Sequence, residues 1–276
     1  MIMKAGIIGG TGKIGRLFVP VFERAGYEVI VSGRSTEITA QDIARTCDLV
    51  IVSVPIHDTV RVIDGIAPLL ARNQLLCDFT SIKAGPVEAM LKSKANVVGL
   101  HPMFGPTVSS LRSQTIIVCP VRVEEHLLKN LVGIFAAEGA RCTATTPEEH
   151  DRMMAVVQGL THFVTLCMAD TIRRLGVGIR STEAFTSPVY QIELSLMGRL
   201  LSQDPALYAD ILQQNPFVPK VLEACCSSAE DLRSLIGSGD PEAFSAFFRE
   251  NHSHLGKYCE RGQEMTDALI ECMVNR

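Results

Sequence analysis

The stretch KAGIIGGTGKIG, Lys4 to Gly15, holds a short apolar run ending in glycines, then a G-x-G-x-x-G pattern at Gly10, Thr11, Gly12, Lys13, Ile14 and Gly15. Apolar residues at helical spacing continue from Lys13 to Ala25, and Gly26 closes them. A strand, a glycine turn and a helix in that order form the dinucleotide-binding fingerprint. Gly10 is expected to permit the tight turn, Gly12 to let a pyrophosphate approach the backbone, and Gly15 to let helix pack on strand. The helix N-terminus would then offer unpaired N–H groups and a positive dipole end to the phosphates.

Outward from this turn, β-rich runs recur at Tyr27–Ser32, Leu49–Val54, Leu75–Phe79, Val97–Leu100, Thr115–Cys119 and Ala140–Thr143. Helical patterns separate most of them, among them Asp58–Leu70, Gly85–Lys92 and Glu124–Glu138. Continuous Val/Ile/Leu runs between helices predict a Rossmann-type α/β fold, with a doubly wound parallel sheet covered on both faces. The character changes near Thr145. Thr146-Pro147-Glu148-Glu149 reads as a helix cap, and the pattern it opens runs to about Leu175. Ser187-Pro188, Asp204-Pro205 and Asp240-Pro241 are three further cap-then-proline starts. A dinucleotide-binding domain over residues 1–145 and an all-α domain over 146–276 are expected.

The chain of 276 residues has 26 Lys+Arg against 30 Asp+Glu, a net charge of -4, which gives no basic excess for nucleic-acid binding. A 47% hydrophobic content with 20% charged residues supports a packed core and not a disordered chain. No uninterrupted apolar stretch approaches the ~20 residues of a membrane span, so no membrane association is expected. Nine cysteines without a CxxC pair fit reduced, buried thiols in the cytoplasm and no metal site.

The second strand ends Ser32-Gly33-Arg34-Ser35, with no carboxylate until Glu37. An acidic residue there would hold a ribose 2′-hydroxyl and repel a 2′-phosphate. Arg34 can instead pair with the phosphate, and Thr11 and Ser35 can donate hydroxyls. NADP is therefore expected in preference to NAD. Ser53, Val54 and Pro55 follow the third strand and are expected to line the same cofactor edge. The loops holding Ser81 and Lys83, and the Pro/Gly-braced GLHPMFGP segment with His101, also follow strands, so they too lie at the edge where doubly wound sheets bind ligands.

Ser53–His57, Ser81–Pro86, Leu100–Pro106, His150–Asp151, Gln158–His162 and Ser187–Tyr208 together resemble prephenate dehydrogenases of the tyrosine pathway. The likeness is close to the dehydrogenase part of bifunctional chorismate mutase–prephenate dehydrogenases. The resemblance implies oxidative decarboxylation of prephenate to 4-hydroxyphenylpyruvate, with hydride transfer to a nicotinamide. It implies that His101 is the catalytic base, that Ser81 bridges it to the substrate and also borders the cofactor, and that Arg199 binds a substrate carboxylate. It places His162 in the same pocket, with Gln158 and Lys83 as further substrate contacts. At 100° per residue, Asp151, Gln158 and His162 fall on one stripe of the long helix, which the resemblance turns toward the cleft.

With no mutase segment ahead of the nucleotide-binding strand, a monofunctional enzyme is expected. The resemblance also implies a homodimer interlocked through the helical domain. Apolar residues such as Phe163, Leu166, Leu194, Leu196, Phe244 and Phe248 exceed the needs of one short bundle face. Arogenate and 4-amino-4-deoxyprephenate are alternative substrates, and the remote alternatives are a non-catalytic NADP sensor and a deazaflavin-dependent reductase.

Overall fold

The computed structural model describes residues 3–275. Its strands are β1 (Lys4–Ile8), β2 (Glu28–Ser32), β3 (Leu49–Val52), β4 (Leu75–Asp78), β5 (Asn96–Pro102), β6 (Thr115–Arg122) and β7 (Arg141–Ala144). They form one sheet in the order β2-β1-β3-β4-β5-β6-β7. Side chains alternate across it: Leu49 and Ile51 join the core with Phe18, Phe22 and Phe135, while Val50 and Val52 join that with Ile43, Ile63 and Met90. Helices α1 (Lys13–Arg24), α2 (Ala40–Thr46), α3 (Ile56–Ile66), α4 (Ala84–Leu91) and α5 (Glu125–Ala137) supply those partners, so both faces are covered.

Two details depart from the sequence reading. Strand β6 pairs antiparallel with β5, so the sheet is mostly parallel rather than wholly so. A parallel return needs a crossover, usually a helix, and residues 103–114 contain none. Helix α2 was not foreseen. Its signal is a capping box, in which the Thr39 hydroxyl accepts from Asp42 N and the Asp42 carboxylate accepts from Thr39 N.

The remaining elements are α6 (Pro147–Met154), a π-helical segment (Ala155–Leu160), α7 (Thr161–Arg174), α8 (Ile179–Glu183), α9 (Pro188–Leu201), α10 (Pro205–Gln214), α11 (Val218–Ser238), α12 (Pro241–Leu255) and α13 (Tyr258–Val274). By its internal contacts the chain divides into two compact units. The first extends to Gln158 and also takes Ala206–Val218; the second is Gly159–Pro205 with the chain from Pro219 onward. The start of the long helix belongs to the first unit because His150, Asp151, Met154 and Ala155 are buried. Asn215 Nδ2 donates to the Asp151 carbonyl at 2.7 Å, and Ile211 shares a small core with Ile56 and Ile82.

The second unit is helical, with α9 packed on α7 and α13, and α12 on α13. It leaves large apolar side chains in water: Leu196, Leu201 and Phe244 are exposed, and Phe248 is 64% exposed. An apolar groove of about 580 Å³, lined by Ile172, Ile179, Leu194, Met197 and Leu201 among others, opens on the same unit. The helix Pro147–Arg174, 28 residues long with an 18-residue window of mean hydropathy 1.3, passes the length and composition test for a membrane span. It begins, however, with His150 and Asp151 buried in polar contacts, as in the core helix of a water-soluble fold. All nine cysteines are free, and the expectation of buried thiols holds for Cys47, Cys77 and Cys119, whereas Cys167, Cys226 and Cys272 are exposed on the helical unit.

Candidate active site

The order β2-β1-β3 means that the chain leaves β1 in one direction and returns to its other side. The switch point lies between the carboxyl ends of β1 and β3, where doubly wound sheets bind ligands. The backbone there turns through Gly9, at φ +82°, and not through Gly10 as the sequence reading assigned. A Cβ on Gly9 would meet the Ser53 carbonyl oxygen at 2.3 Å. Gly10 is instead confined between the Ile7 carbonyl and Val31. Gly12 caps α1 with no side chain bonded to the first turn, so the leading N–H groups stay open to an anion.

Thr11 rests against Gly33, which has no room for a side chain, and Arg34 and Ser35 are exposed just beyond β2. Arg34 also approaches Asp58, whose carboxyl is held below its ordinary value chiefly by the hydrogen bond from Arg61. An uncapped helix start and a glycine-floored turn fit the phosphates of a dinucleotide. Lys13, Ile14, Ser53, Val54 and Pro55 border this edge and are exposed or half-buried.

His101 lies on β5 near its carboxyl end and is 2% exposed. Its Nδ1 is 2.8 Å from His150 Nε2, and His150 Nδ1 is 2.8 Å from Asp151 Oδ1. Asp151 also accepts the backbone N–H of Lys83 at 2.7 Å on Oδ1 and that of Ala84 at 2.9 Å on Oδ2. The second nitrogen of His101, Nε2, is 3.4 Å from the Gln158 amide nitrogen, and Gln158 Oε1 is buried without a partner among the described residues. Burial holds the His101 imidazole well below its ordinary pKa, with His150 and the Lys83 ammonium adding to the effect. His150 is lowered by burial too, and its hydrogen bond to Asp151 opposes the shift. Both rings are therefore neutral at pH 7.

Lys83 is not the substrate contact that its loop position suggested. It is fully buried, and its ammonium donates to the Asp78 carboxylate, to Thr80 Oγ1 at 3.2 Å and to the Leu100 carbonyl at 2.8 Å. A lysine whose three protons are used inside the protein has none for a ligand.

Ser81 is half-buried, and no hydrogen bond joins it to His101 among the described residues. His162 on α7 is half-buried, and burial lowers its pKa. Arg199 on α9 is exposed, with no carboxylate partner among the described residues. A π-helical segment, with a wider turn than an α-helix, lies between Asp151 and His162, so a constant 100° per residue does not describe that stretch. The structure thus brings His101, His150, Asp151 and Gln158 together. The sequence reading gave His150 and Asp151 no chemical role, although a His-Asp pair inside a capped helix start was a signal for one.

Residues 28–144 match the family model described as prephenate dehydrogenase, nucleotide-binding domain. Residues 146–250 match that of the prephenate dehydrogenase dimerization domain. A probable arogenate/prephenate dehydrogenase of Methanocaldococcus jannaschii is 35% identical over 96% of this chain, which spans 64% of that protein's length. The T-protein of Haemophilus influenzae is 33% identical over 98% of this chain and 72% of its own. The crystal structure of prephenate dehydrogenase from Aquifex aeolicus, in complex with hydroxyphenyl propionate and NAD+, superposes with a TM-score of 0.74 at 20% identity, covering 92% of this chain and 98% of the other. With both halves matched and relatives at this identity, the chain belongs to the prephenate dehydrogenase family.

Proposed function

We propose that this protein oxidatively decarboxylates prephenate to 4-hydroxyphenylpyruvate, with NADP as the hydride acceptor. The observation that carries the reading is a buried, neutral imidazole, His101, at the ligand edge of a nucleotide-binding sheet. The nicotinamide, when bound, supplies the hydride acceptor.

The protein's part is to manage one proton. As C4 of the ring loses hydride, its hydroxyl becomes acidic, and His101 accepts that proton. Departure of CO2 leaves an electron pair that aromatises the ring to a phenolate, and the same proton can return to it. Charge and atoms balance with no net proton released.

Arg199, whose guanidinium is exposed, is assigned to a substrate carboxylate, and Gln158, Ser81 and His162 to further contacts. Arg34 and Ser35 are assigned to the 2′-phosphate. A homodimer through the helical unit is proposed from the match to a dimerization domain and from the exposure of Leu196, Leu201 and Phe248.

Arogenate is the second reading, because the Methanocaldococcus relative carries both substrate names. Steady-state assays of prephenate, arogenate and 4-amino-4-deoxyprephenate, each with NAD and NADP, test the proposal. The highest kcat/KM is expected for prephenate with NADP. Turnover of none of the three would refute an enzymatic role.

A further inference from the structure

We propose that His150 and Asp151 are positioning residues that hold His101 in its Nδ1–H tautomer, so that Nε2 presents a lone pair to the substrate hydroxyl. This rests on the reading of His101 as the base and assigns its protonation pattern from the far end of the hydrogen-bond chain.

Asp151 is fully buried, and its two oxygens accept the N–H groups of Lys83 and Ala84. Both carboxylate oxygens are thus already acceptors of backbone donors, one of them in the first turn of a helix, and a carboxylate has no N–H or O–H of its own to donate to His150. The proton between Asp151 Oδ1 and His150 Nδ1 therefore belongs to His150. A neutral imidazole has one N–H, so His150 Nε2 carries a lone pair. The proton between His150 Nε2 and His101 Nδ1 must then be donated by His101. One nitrogen remains, His101 Nε2, which has no hydrogen and faces the Gln158 amide at 3.4 Å.

The chain of groups ends at a fully buried carboxylate, so it does not export the proton. This suits the balance of the reaction, which releases none. When Nε2 takes the substrate proton, the positive charge on His101 is stabilised through His150 by the Asp151 carboxylate at the end of the hydrogen-bond chain. The Lys83 ammonium opposes that charge, and the Asp78 carboxylate, which pairs with Lys83, limits the opposition.

Two measurements test the assignment. In the 15N spectrum of histidine-labelled protein, with the His101 signal identified by its loss in His101→Asn, a protonated Nδ1 and a bare Nε2 are expected. The opposite tautomer would overturn the proposal whether or not the protein is an active enzyme. In kinetics, His150→Leu removes the acceptor and should lower kcat about 10- to 100-fold with KM little altered, and displace the acidic limb of the pH profile. His150→Gln, whose amide oxygen can accept the same N–H, should recover most of the loss. Wild-type kcat in His150→Leu would equally overturn it. Absence of turnover in the wild type would refute the proposed function and leave the tautomer to the spectrum.

Discussion

The Lys83 ammonium and the Asp78 carboxylate form an ion pair from which water is excluded, since both side chains are fully buried. The pair braces the loop after β4 against the Leu100 carbonyl of β5, one residue before His101. Removing one partner of a buried pair strands the other charge, at a cost of about 3–5 kcal/mol. Lys83→Met should therefore lower Tm by roughly 6–20 °C for a chain of this size. Thermal melts beside Michaelis–Menten curves decide the matter. An unchanged Tm with a raised KM would return Lys83 to the substrate.

His101→Asn keeps the size of the side chain and removes the titrating base. A kcat lower by about 100-fold or more, at nearly constant KM, is expected. Because burial places the imidazole below its ordinary pKa of 6.5, the wild-type kcat/KM should stay flat down to that pH and fall only below it. A loss confined to KM would make His101 a binding residue.

Much of this was legible in the sequence. Glycine turns and continuous Val/Ile/Leu runs are local signals, so β1, the turn and the ligand edge could be read from Lys4–Gly15 and from the loops that follow later strands. Strand direction was not legible at β6, because alternation of side chains is the same for parallel and antiparallel pairing. His101 stood out at the end of an apolar run. The burial of Lys83 did not, since a lysine in a ligand-edge loop reads as solvent-facing unless the acid five residues earlier is taken as its partner. A constant 100° per residue does not describe the stretch from Asp151 to His162, because a π-helical segment intervenes.

The two buried imidazoles also set a pH dependence of stability. Folding lowers the pKa of both His101 and His150, so below pH 6.5 the unfolded chain binds protons that the native protein refuses. Stability then rises with pH through that window, and above about pH 7 neither group contributes. Each suppressed proton costs up to about 1.4 kcal/mol per pH unit. Tm measured from pH 8 to pH 5 should be level at first and then decline. The decline should be shallower in His101→Asn, and an equally steep fall in that variant would show that other groups are responsible.

Cofactor choice rests on Arg34. A charge-assisted hydrogen bond to a 2′-phosphate contributes about 1.5–3 kcal/mol, so Arg34→Ala should weaken NADP at least about tenfold and barely alter NAD. Titration of each nucleotide by fluorescence or calorimetry measures this. A wild-type preference for NAD, or a variant that keeps its preference for NADP, would remove the assignment.

Assembly is the last expectation. On α9, Leu196 and Leu201 are both more than half exposed and flank Arg199, while Phe248 on α12 is 64% exposed. Apolar surface of this extent on one helical unit is uncommon in a monomer and marks a protein interface. A second copy covers it in the proposed arrangement, and a single Phe248→Glu charge placed there should weaken association. Light scattering at micromolar concentration should give a dimer for the wild type and a smaller species for the variant. Arg199→Ala should raise KM far more than it lowers kcat, as expected of a group that holds a carboxylate equally in ground and transition states. A fully active wild-type monomer would rule out the dimer as the working form.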